Sequence, residues 1–426
     1  MTSRLFRTGL VLSVIHGVAF SQTRELLSIN EAVAIALEKN PRVLTAQQEI
    51  EAADAKILQA GRLPNPEVGM SWNETPFNFN IAEADERDIG ITQHIEFPTR
   101  RSGRIDVATQ DRQIVELQLE RTKMLIAAQV KKAYYGTRLS QEIMESFEEQ
   151  LRLLHDVQRI LTDRYQAGTS NYLDVIRGRV EIARLNNDVA EVKRDLQVRL
   201  AQLNLLLGRN ADHAVELTDT LFHGSVPVDG DSLIRTLSEN SIILKIAQRA
   251  VHRADAAVGV AATSYLPDFS LGLFHQRRTE QPPFDANGFM GTTKNGLGIQ
   301  LGISVPLWFW QEPRGQVQEA GALREIARVN NDQVVRRVRS SILNALGAVK
   351  TVDSQIRVFD QSLLNDAQDI LATVIAQYQN NQIDLLNLLD VYRTVRATRV
   401  EYARARLNYA AVLADLEVAA ELPSEE

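Results

Sequence analysis

The stretch that constrains this chain most is Leu297 to Leu307, L-G-I-Q-L-G-I-S-V-P-L. Leu297, Ile299, Leu301, Ile303, Val305 and Leu307 are large and apolar, and the residues between them are small or polar. A period of two puts the two sets on opposite faces of an extended strand. About ten residues is the length with which a tilted strand crosses bilayer hydrocarbon. Trp308, Phe309 and Trp310 follow at once, where an aromatic girdle would meet the membrane interface. A buried strand of a soluble sandwich shows the same alternation, so this stretch alone leaves two fold classes open.

The N-terminus favours export. Arg4 and Arg7 precede an apolar run from Gly9 to Phe20, interrupted by His16, and Ala19-Phe20-Ser21 offers small residues before a cleavage point. That is the layout of a signal peptide over residues 1–21. No later segment has the ~18 consecutive apolar residues of a membrane helix, but an exported chain can still enter a membrane as strands. The net charge of −7, with no clustered basic face, speaks against a nucleic-acid partner. The absence of cysteine excludes disulfides and thiolate metal sites.

Ser28 and Glu31 predict a capping box opening a helix to Ala60, broken at Pro41 after Asn40. Gly61 and Leu63-Pro64-Asn65-Pro66 end it, and strands are expected near 66–74, carrying Val68, Met70 and Trp72, and near 89–97, carrying Ile91, Ile95 and Phe97. Between them a polar loop is expected from Thr75 to Asp88. Residues 99–166 then read as one long helix whose seam runs Leu139, Ile143, Phe147, Leu151, Leu154, Val157, Leu161, Tyr165. At about 1.5 Å per residue it would be roughly 100 Å long. No compact domain needs such a helix. A turn at Ala167-Gly168-Thr169-Ser170 leads to a helix over 171–207, ending at Gly208.

The pattern then recurs. Leu63-Pro64 and Val68-Gly69 match Leu266-Pro267 and Leu271-Gly272 at an offset of about 203; Ile91, Ile95 and Pro98 match Ile299, Ile303 and Pro306 at about 208; Gly103 matches Gly315 at about 212; Tyr165-Gln166 and Leu173 match Tyr378-Gln379 and Leu386 at about 213. The offset grows where loops belong and hardly along the helices. The expected organisation is a first repeat over 22–208, an irregular connector over 209–229, a second repeat over 230–420 with strands near 268–276 and 297–307 and a long helix over 313–380, and a tail over 421–426. Asp229 and Asp231 read as helix caps.

Four strands with apolar outer faces cannot close a barrel, and lipid does not tolerate open edges. Closure therefore needs several chains, and three would supply twelve strands. In each half the two shorter helices together match the length of the long one, as in a tube of uniform wall.

This duplicated layout, the L-P-N-P approach to the first strand and the turn Y-Q-A-G-T-S-N-Y-L-D-V from Tyr165 to Val175 resemble the TolC-like outer-membrane efflux family over essentially the whole mature chain. The resemblance implies a mostly α chain with membrane β: a homotrimer whose twelve-stranded barrel lies among outer-membrane lipid, continuous with a helical tunnel in the periplasm. Its implied partners are a periplasmic membrane-fusion adaptor and an inner-membrane pump of RND or ABC type. The L-P-N-P approach and the strand Thr92-Gln93-His94-Ile95-Glu96 are similar to the heavy-metal cation branch.

Three residue sets follow. Gly168 and Asn381 are residue types that tolerate a positive φ at a turn. The resemblance implies adaptor docking at Ala167, Gly168, Thr169, Ser170 and Asn171 on one tip and at Asn380, Asn381 and Gln382 on the other. It also implies a periplasmic gate at Asp174, Asn387 and Asp390, where a ring of carboxylates would favour cations. The family often carries aspartate where this chain has Asn387 and an arginine lock where it has Ile383, so an acidic double ring and that lock are not expected. The third set is the lipid-facing row from Leu297 to Leu307, with Gly298, Gly302 and Ser304 toward the lumen.

Catalytic signals are missing: no phosphate loop, no H-E-x-x-H and no G-x-S-x-G. Asp212, His213 and His223 lie in a connector without ligand spacing. No enzyme, cofactor or resident metal is expected. The reading is a passive duct for small solutes, metal cations or drugs among them. A type I protein-secretion duct and a secreted coiled-coil scaffold are the alternatives.

Overall fold

The computed structural model describes residues 25–73, 84, 86–220, 241–280, 292–380 and 382–421. The expected signal peptide, most of the Thr75–Asp88 loop, Asn381, His223, Asp229, Asp231 and the tail beyond Glu421 lie outside the described residues.

Helix α1 (Ile29–Lys39) opens on the expected capping box: Ser28 and Glu31 exchange bonds, with Ser28 N–H donating to Glu31 Oε2 at 2.8 Å. Asn40 closes α1 and opens α2 (Pro41–Ala60), its Oδ1 accepting from Arg42 N–H. Pro41 costs nothing there, because the first helical position has no intrahelical N–H partner to lose. Helix α3 (Pro98–Gln166) is unbroken through 69 residues, about 100 Å, and α4 (Tyr172–Leu206) returns beside it.

The second half runs α5 (Ile242–Ala262), α6 (Glu312–Val358), α7 (Leu364–Gln379) and α8 (Leu385–Ala420). Its long helix is not the uninterrupted element expected over 313–380. One π-turn, Phe359–Leu363, divides α6 from α7. The repeat offset rises from 212 at Gly315 to 213 at Tyr378, so the second long helix holds one extra residue between those points. A π-turn bonds i to i+5 and takes up one residue without breaking the helix. Phe359 and Asp360 meet α8 through Tyr402: the rings lie 5.7 Å apart and the Tyr402 hydroxyl donates to Asp360 Oδ1 at 2.8 Å.

Strands β2 (Glu67–Asn73), β3 (Glu86–Ile95), β5 (Asp268–Glu280) and β6 (Thr292–Ser304) form one antiparallel sheet in the order β2-β3-β5-β6. β3, β5 and the start of β6 extend past the expected limits. β6 stops at Ser304, so Val305 and Leu307 lie beyond the ladder: Pro306 cannot donate to it, and Leu307 to Gln311 form a turn. Phe97 likewise is the N-cap of α3 and not part of β3.

The connector is less irregular than expected. Strand β4 (Val215–Leu217) pairs parallel with β1 (Glu25–Leu27). Beside this pair Tyr134 is buried, its hydroxyl 2.8 Å from the Leu27 carbonyl and 2.9 Å from Asp219 Oδ2. Burial pushes that phenol up to about 12. His213 Nε2 sits 3.0 Å from Glu25 Oε2, and Arg209 donates to the same carboxylate at 2.8 Å.

Every layer has the same lateral order. Nearest the sheet, α2 packs on α3, α3 on α5 and α5 on α6; farther away, α4 packs on α3, α3 on α8, and α8 on α6 and α7. First-repeat elements (β2, α2, α4) therefore form one flank and second-repeat elements (β6, α6, α7) the other. Both flanks leave large apolar side chains exposed, Leu44 and Leu58 on one and Leu323, Ile326 and Val329 on the other.

Candidate functional site: sheet faces and helical tips

The sheet has two chemically distinct faces. Across the ladder Val68 stands opposite Ile91, Ile91 opposite Leu273 and Leu273 opposite Ile299; Met70, Ile89, His275 and Leu297 make a second such row. All of the apolar members of these rows except Ile91 and Ile89 at 45–46% are more than half exposed, and among the described residues no element covers them. Leu297, Ile299, Leu301 and Ile303 fall on this face as expected. The opposite face carries Glu67, Ser71, Asp88, Thr92, His94 and Gln300. His94 Nε2 lies 3.4 Å from Glu67 Oε2, and the Ser71 hydroxyl is 3.3 Å from Asp88 Oδ2. Gly298 and Gly302 belong here too, but the Phe274 ring lies over Gly298 in the space a Cβ would need, so this position is not open lumen. An exposed apolar face backed by a polar one is the pattern of strands with lipid on one side and water on the other.

At the far end of the long helices two turns lie side by side. In the first, Ala167 is the cap of α3, Gly168 has φ +73°, and the N–H groups of Gly168 and Thr169 donate to the carbonyls of Tyr165 and Arg164. This is a Schellman closure, which needs the positive φ expected at Gly168. Asn171 Oδ1 accepts from Leu173 N–H at 3.1 Å and opens α4. In the second turn Gln382 N–H donates to the Gln377 carbonyl at 2.9 Å, the counterpart of the Thr169–Arg164 bond. Ala167, Gly168, Thr169, Asn171, Asn380 and Gln382 are exposed and Ser170 half-buried.

Of the gate residues, Asn387 and Asp390 are exposed and fall on one stripe of α8 with Asp384 and Thr394. Asp174 is half-buried and pairs with Arg177 at 3.3 Å; no hydrogen bond or ion pair joins it to Asn387 or Asp390. Asp384, not singled out in the sequence, caps α8 by accepting from Asn387 N–H at 2.9 Å. An aspartate just before Leu385-Leu386 was the available signal.

The tips share one core. Phe147, Leu154, Leu161 and Val175 of the first repeat pack with Tyr378, Leu385, Leu388 and Tyr392 of the second. Tyr165, expected on the buried seam, is instead 44% exposed. Its ring meets Tyr172 at 5.3 Å, because the helix ends one residue later and the chain turns away. Four arginines of α8 tie the repeats together above the tips. Arg393 grips Glu181 at 2.6 and 3.1 Å, Arg396 binds Asp188 at 2.9 Å, Arg406 lies 3.4 Å from Glu142, and Arg399 lies 3.8 Å from Glu149. The hydrogen bonds from Arg393 hold the Glu181 carboxyl below its ordinary range against the opposing effect of burial. Among the described residues no group of histidines and carboxylates could hold a metal ion.

The profile of the family described as "Outer membrane efflux protein" matches residues 32–209 and 233–420. The chain belongs to this family. It is an outer-membrane efflux channel with its helices in the periplasm. Curated relatives include the cobalt-zinc-cadmium resistance protein CzcC of Cupriavidus metallidurans, 22% identical over 88% of this chain and 85% of the relative. The cation efflux system protein CusC of Escherichia coli K12 is 23% identical over 88% and 82%. A membrane protein from Pseudomonas aeruginosa superposes with a TM-score of 0.75 at 18% identity over 92% of both chains. The open state of MtrE from Neisseria gonorrhoeae superposes at 0.73, with 18% identity over 92% and 88%. These superpositions carry the fold: mostly helical, with a small sheet.

Proposed function

We propose that the mature chain, after loss of residues 1–21, is a passive homotrimeric duct. Three four-stranded sheets complete a twelve-stranded barrel, and three helical layers complete a periplasmic tunnel. The observation that carries this reading is the sheet itself. It has an apolar face, a polar face and two outer edges without a partner among the described residues, and in lipid those edges must be paired. The exposed apolar side chains on both helical flanks ask for the same closure.

Solutes pass from an inner-membrane pump through a periplasmic adaptor seated on Ala167–Asn171 and Asn380–Gln382. Asp174, Asn387 and Asp390 ring the constriction just above, and Asp384 extends the acidic stripe. The two curated relatives are named for cobalt-zinc-cadmium resistance and for cation efflux, which supports cations as cargo; the Asp174 and Asp390 carboxylates and the Glu67–His94 pair on the lumenal face suit them. Energy comes from the pump.

The test is the mass of the detergent-solubilised protein by light scattering, followed by conductance in planar bilayers. About three chains per particle and a cation-selective conductance are expected. A detergent-free single chain would end the reading.

A further inference from the structure

The seam between the repeats inside one chain is a template for the seam between chains. Inside, β3 pairs with β5, placing Ile89 opposite His275, Ile91 opposite Leu273 and Gln93 opposite Leu271. In the second repeat the counterpart of β3 is β6, by the match of Ile91, Ile95 and Pro98 to Ile299, Ile303 and Pro306. In the first repeat the counterpart of β5 is β2, by the match of Val68-Gly69 to Leu271-Gly272. β2 and β6 are the two outer strands of the sheet.

Carrying the internal register across by these matches turns Gln93–Leu271 into Leu301–Val68. We propose that β2 of one copy pairs antiparallel with β6 of the next, with Val68 opposite Leu301, Met70 opposite Ile299 and Trp72 opposite Leu297. The inference rests on the multi-chain closure proposed above and adds its register. All six residues lie on the apolar face, so that face continues around the barrel, whereas a slip by one residue would turn the apolar side of β2 inward. Exposure marks the two strands as edges, with Met70 at 58% and Trp72, at 43%, the exception. Val68, Leu297, Ile299 and Leu301 are 71–79% exposed, against 45–52% for Ile89, Ile91, Leu271 and Leu273 on the inner strands of the same face. The outer residues lack a lateral neighbour that the inner ones have.

The same matches carry over a contact at the base of the sheet. Arg100, at the start of α3, binds both oxygens of Asp268 at 2.8 Å and the Thr263 carbonyl. The counterpart of Arg100 is Glu312, exposed and bonded to Gln316 of its own helix at 3.1 Å; that of Asp268 is Asn65. On that match the seam between copies sets Glu312 near Asn65 and the exposed Arg62, while Arg314, third residue of its helix as Arg100 is of α3, keeps an arginine at the helix start.

The chain has no cysteine, so introduced pairs report cleanly. Residues directly opposite in an antiparallel pair are about 4.5–5.5 Å apart, within disulfide reach, and diagonal ones about 7–8 Å, beyond it. On oxidation, Val68→Cys with Leu301→Cys should link chains at least tenfold faster than Val68→Cys with Ile299→Cys or with Ile303→Cys. Co-expressing V68C and L301C as single variants should give a two-chain link and guards against misfolding of the double variant. Preferred linkage of position 68 to 299 or 303 would overturn the register. The same samples are weighed by light scattering: a multi-chain particle linked at another register refutes the seam and leaves the duct, and a single-chain particle refutes both.

Discussion

Arg164, in the last turn of α3, caps a helix of the other repeat. Its Nη2 donates to the carbonyls of Tyr378 and Gln379 at 3.3 and 3.0 Å, and its guanidinium lies 5.0 Å above the buried Tyr378 ring. A cation at a helix C-terminus over an aromatic face joins three favourable terms. The equivalent position in the second repeat is Gln377, so the staple runs one way only. Arg164→Ala should speed amide exchange at Asn380 and Gln382 about tenfold, roughly 1.4 kcal/mol, the scale of a hydrogen bond to a charged group. It should also push the Tyr378 phenol further above its ordinary range, since burial raises it and Arg164 opposes that. Unchanged exchange would show that the shared core alone holds the tips together.

Gly168 has φ +73° with open space around its Cα. Gly168→Ala should therefore cost only backbone strain, about 1 kcal/mol. Faster exchange confined to Arg164 through Asn171, with little change in Tm, is the expected result. A global loss of stability would mean that the tip nucleates more of the fold than its packing suggests.

Glu181 and Arg393 make a pH-sensitive joint. The Glu181 side chain is 9% exposed and that of Arg393 46%. Arg393→Ala leaves the buried Glu181 carboxylate with only Arg184, 3.8 Å away and mostly exposed, as its ionic partner, so the cost should fall below the roughly 3–5 kcal/mol of a fully broken buried pair. Arg393→Ala with Glu181→Leu should recover part of that, which a double-mutant cycle reads directly. Because the folded pKa is lowered from 4.5, the contribution is fully present above that value and is lost as pH falls through the folded pKa. Asp195, lowered by Arg199 and Ser140, acts in the same direction. Thermal melts between pH 7 and pH 3 should show the wild-type midpoint falling more than that of the double variant.

On the sheet, Leu301→Lys puts a charge toward lipid and should cost about 2–4 kcal/mol near the bilayer midplane. Gln300→Lys, one residue away on the polar face, should assemble normally and lower cation conductance. Heat-modifiable migration in gels scores assembly, and planar bilayers score conductance. Equal damage from both would contradict the assignment of faces.

Much of this was legible in the sequence, for physical reasons that also mark where legibility ends. Alternation at Val68–Trp72 and Leu297–Ile303 reports which face is apolar, but strand ends depend on pairing, so β3 begins at Glu86 among polar residues that carry no pattern. Caps such as Ser28–Glu31 and Gly168 are local and were readable. Arg164 on Tyr378, Arg393 on Glu181 and β1 on β4 join residues far apart in the chain, and no spacing rule reaches them. Tyr165 fits the period of the seam, yet the seam ends where α4 departs.

The π-turn was half legible, and it gives the sharpest test of the duplication. If Phe359–Leu363 houses one inserted residue, deleting one of the five should restore an α-helix from Glu312 to the tip. Ile356 above and Tyr378 below would keep their packing, because the deletion removes the offset between them and the first repeat. The expected outcome is normal assembly and a Tm within a few degrees of wild type, less the Tyr402–Asp360 hydrogen bond, worth about 1 kcal/mol. Deleting Asn344 instead, inside the regular part of α6, would rotate all that follows by about 100°. That would carry Val349, Val352 and Ile356 off their buried stripe. Equal tolerance of both deletions would mean that packing, not the insertion, positions the turn; collapse of both would mean that the turn's own contacts to α8 hold the lower half of the second repeat.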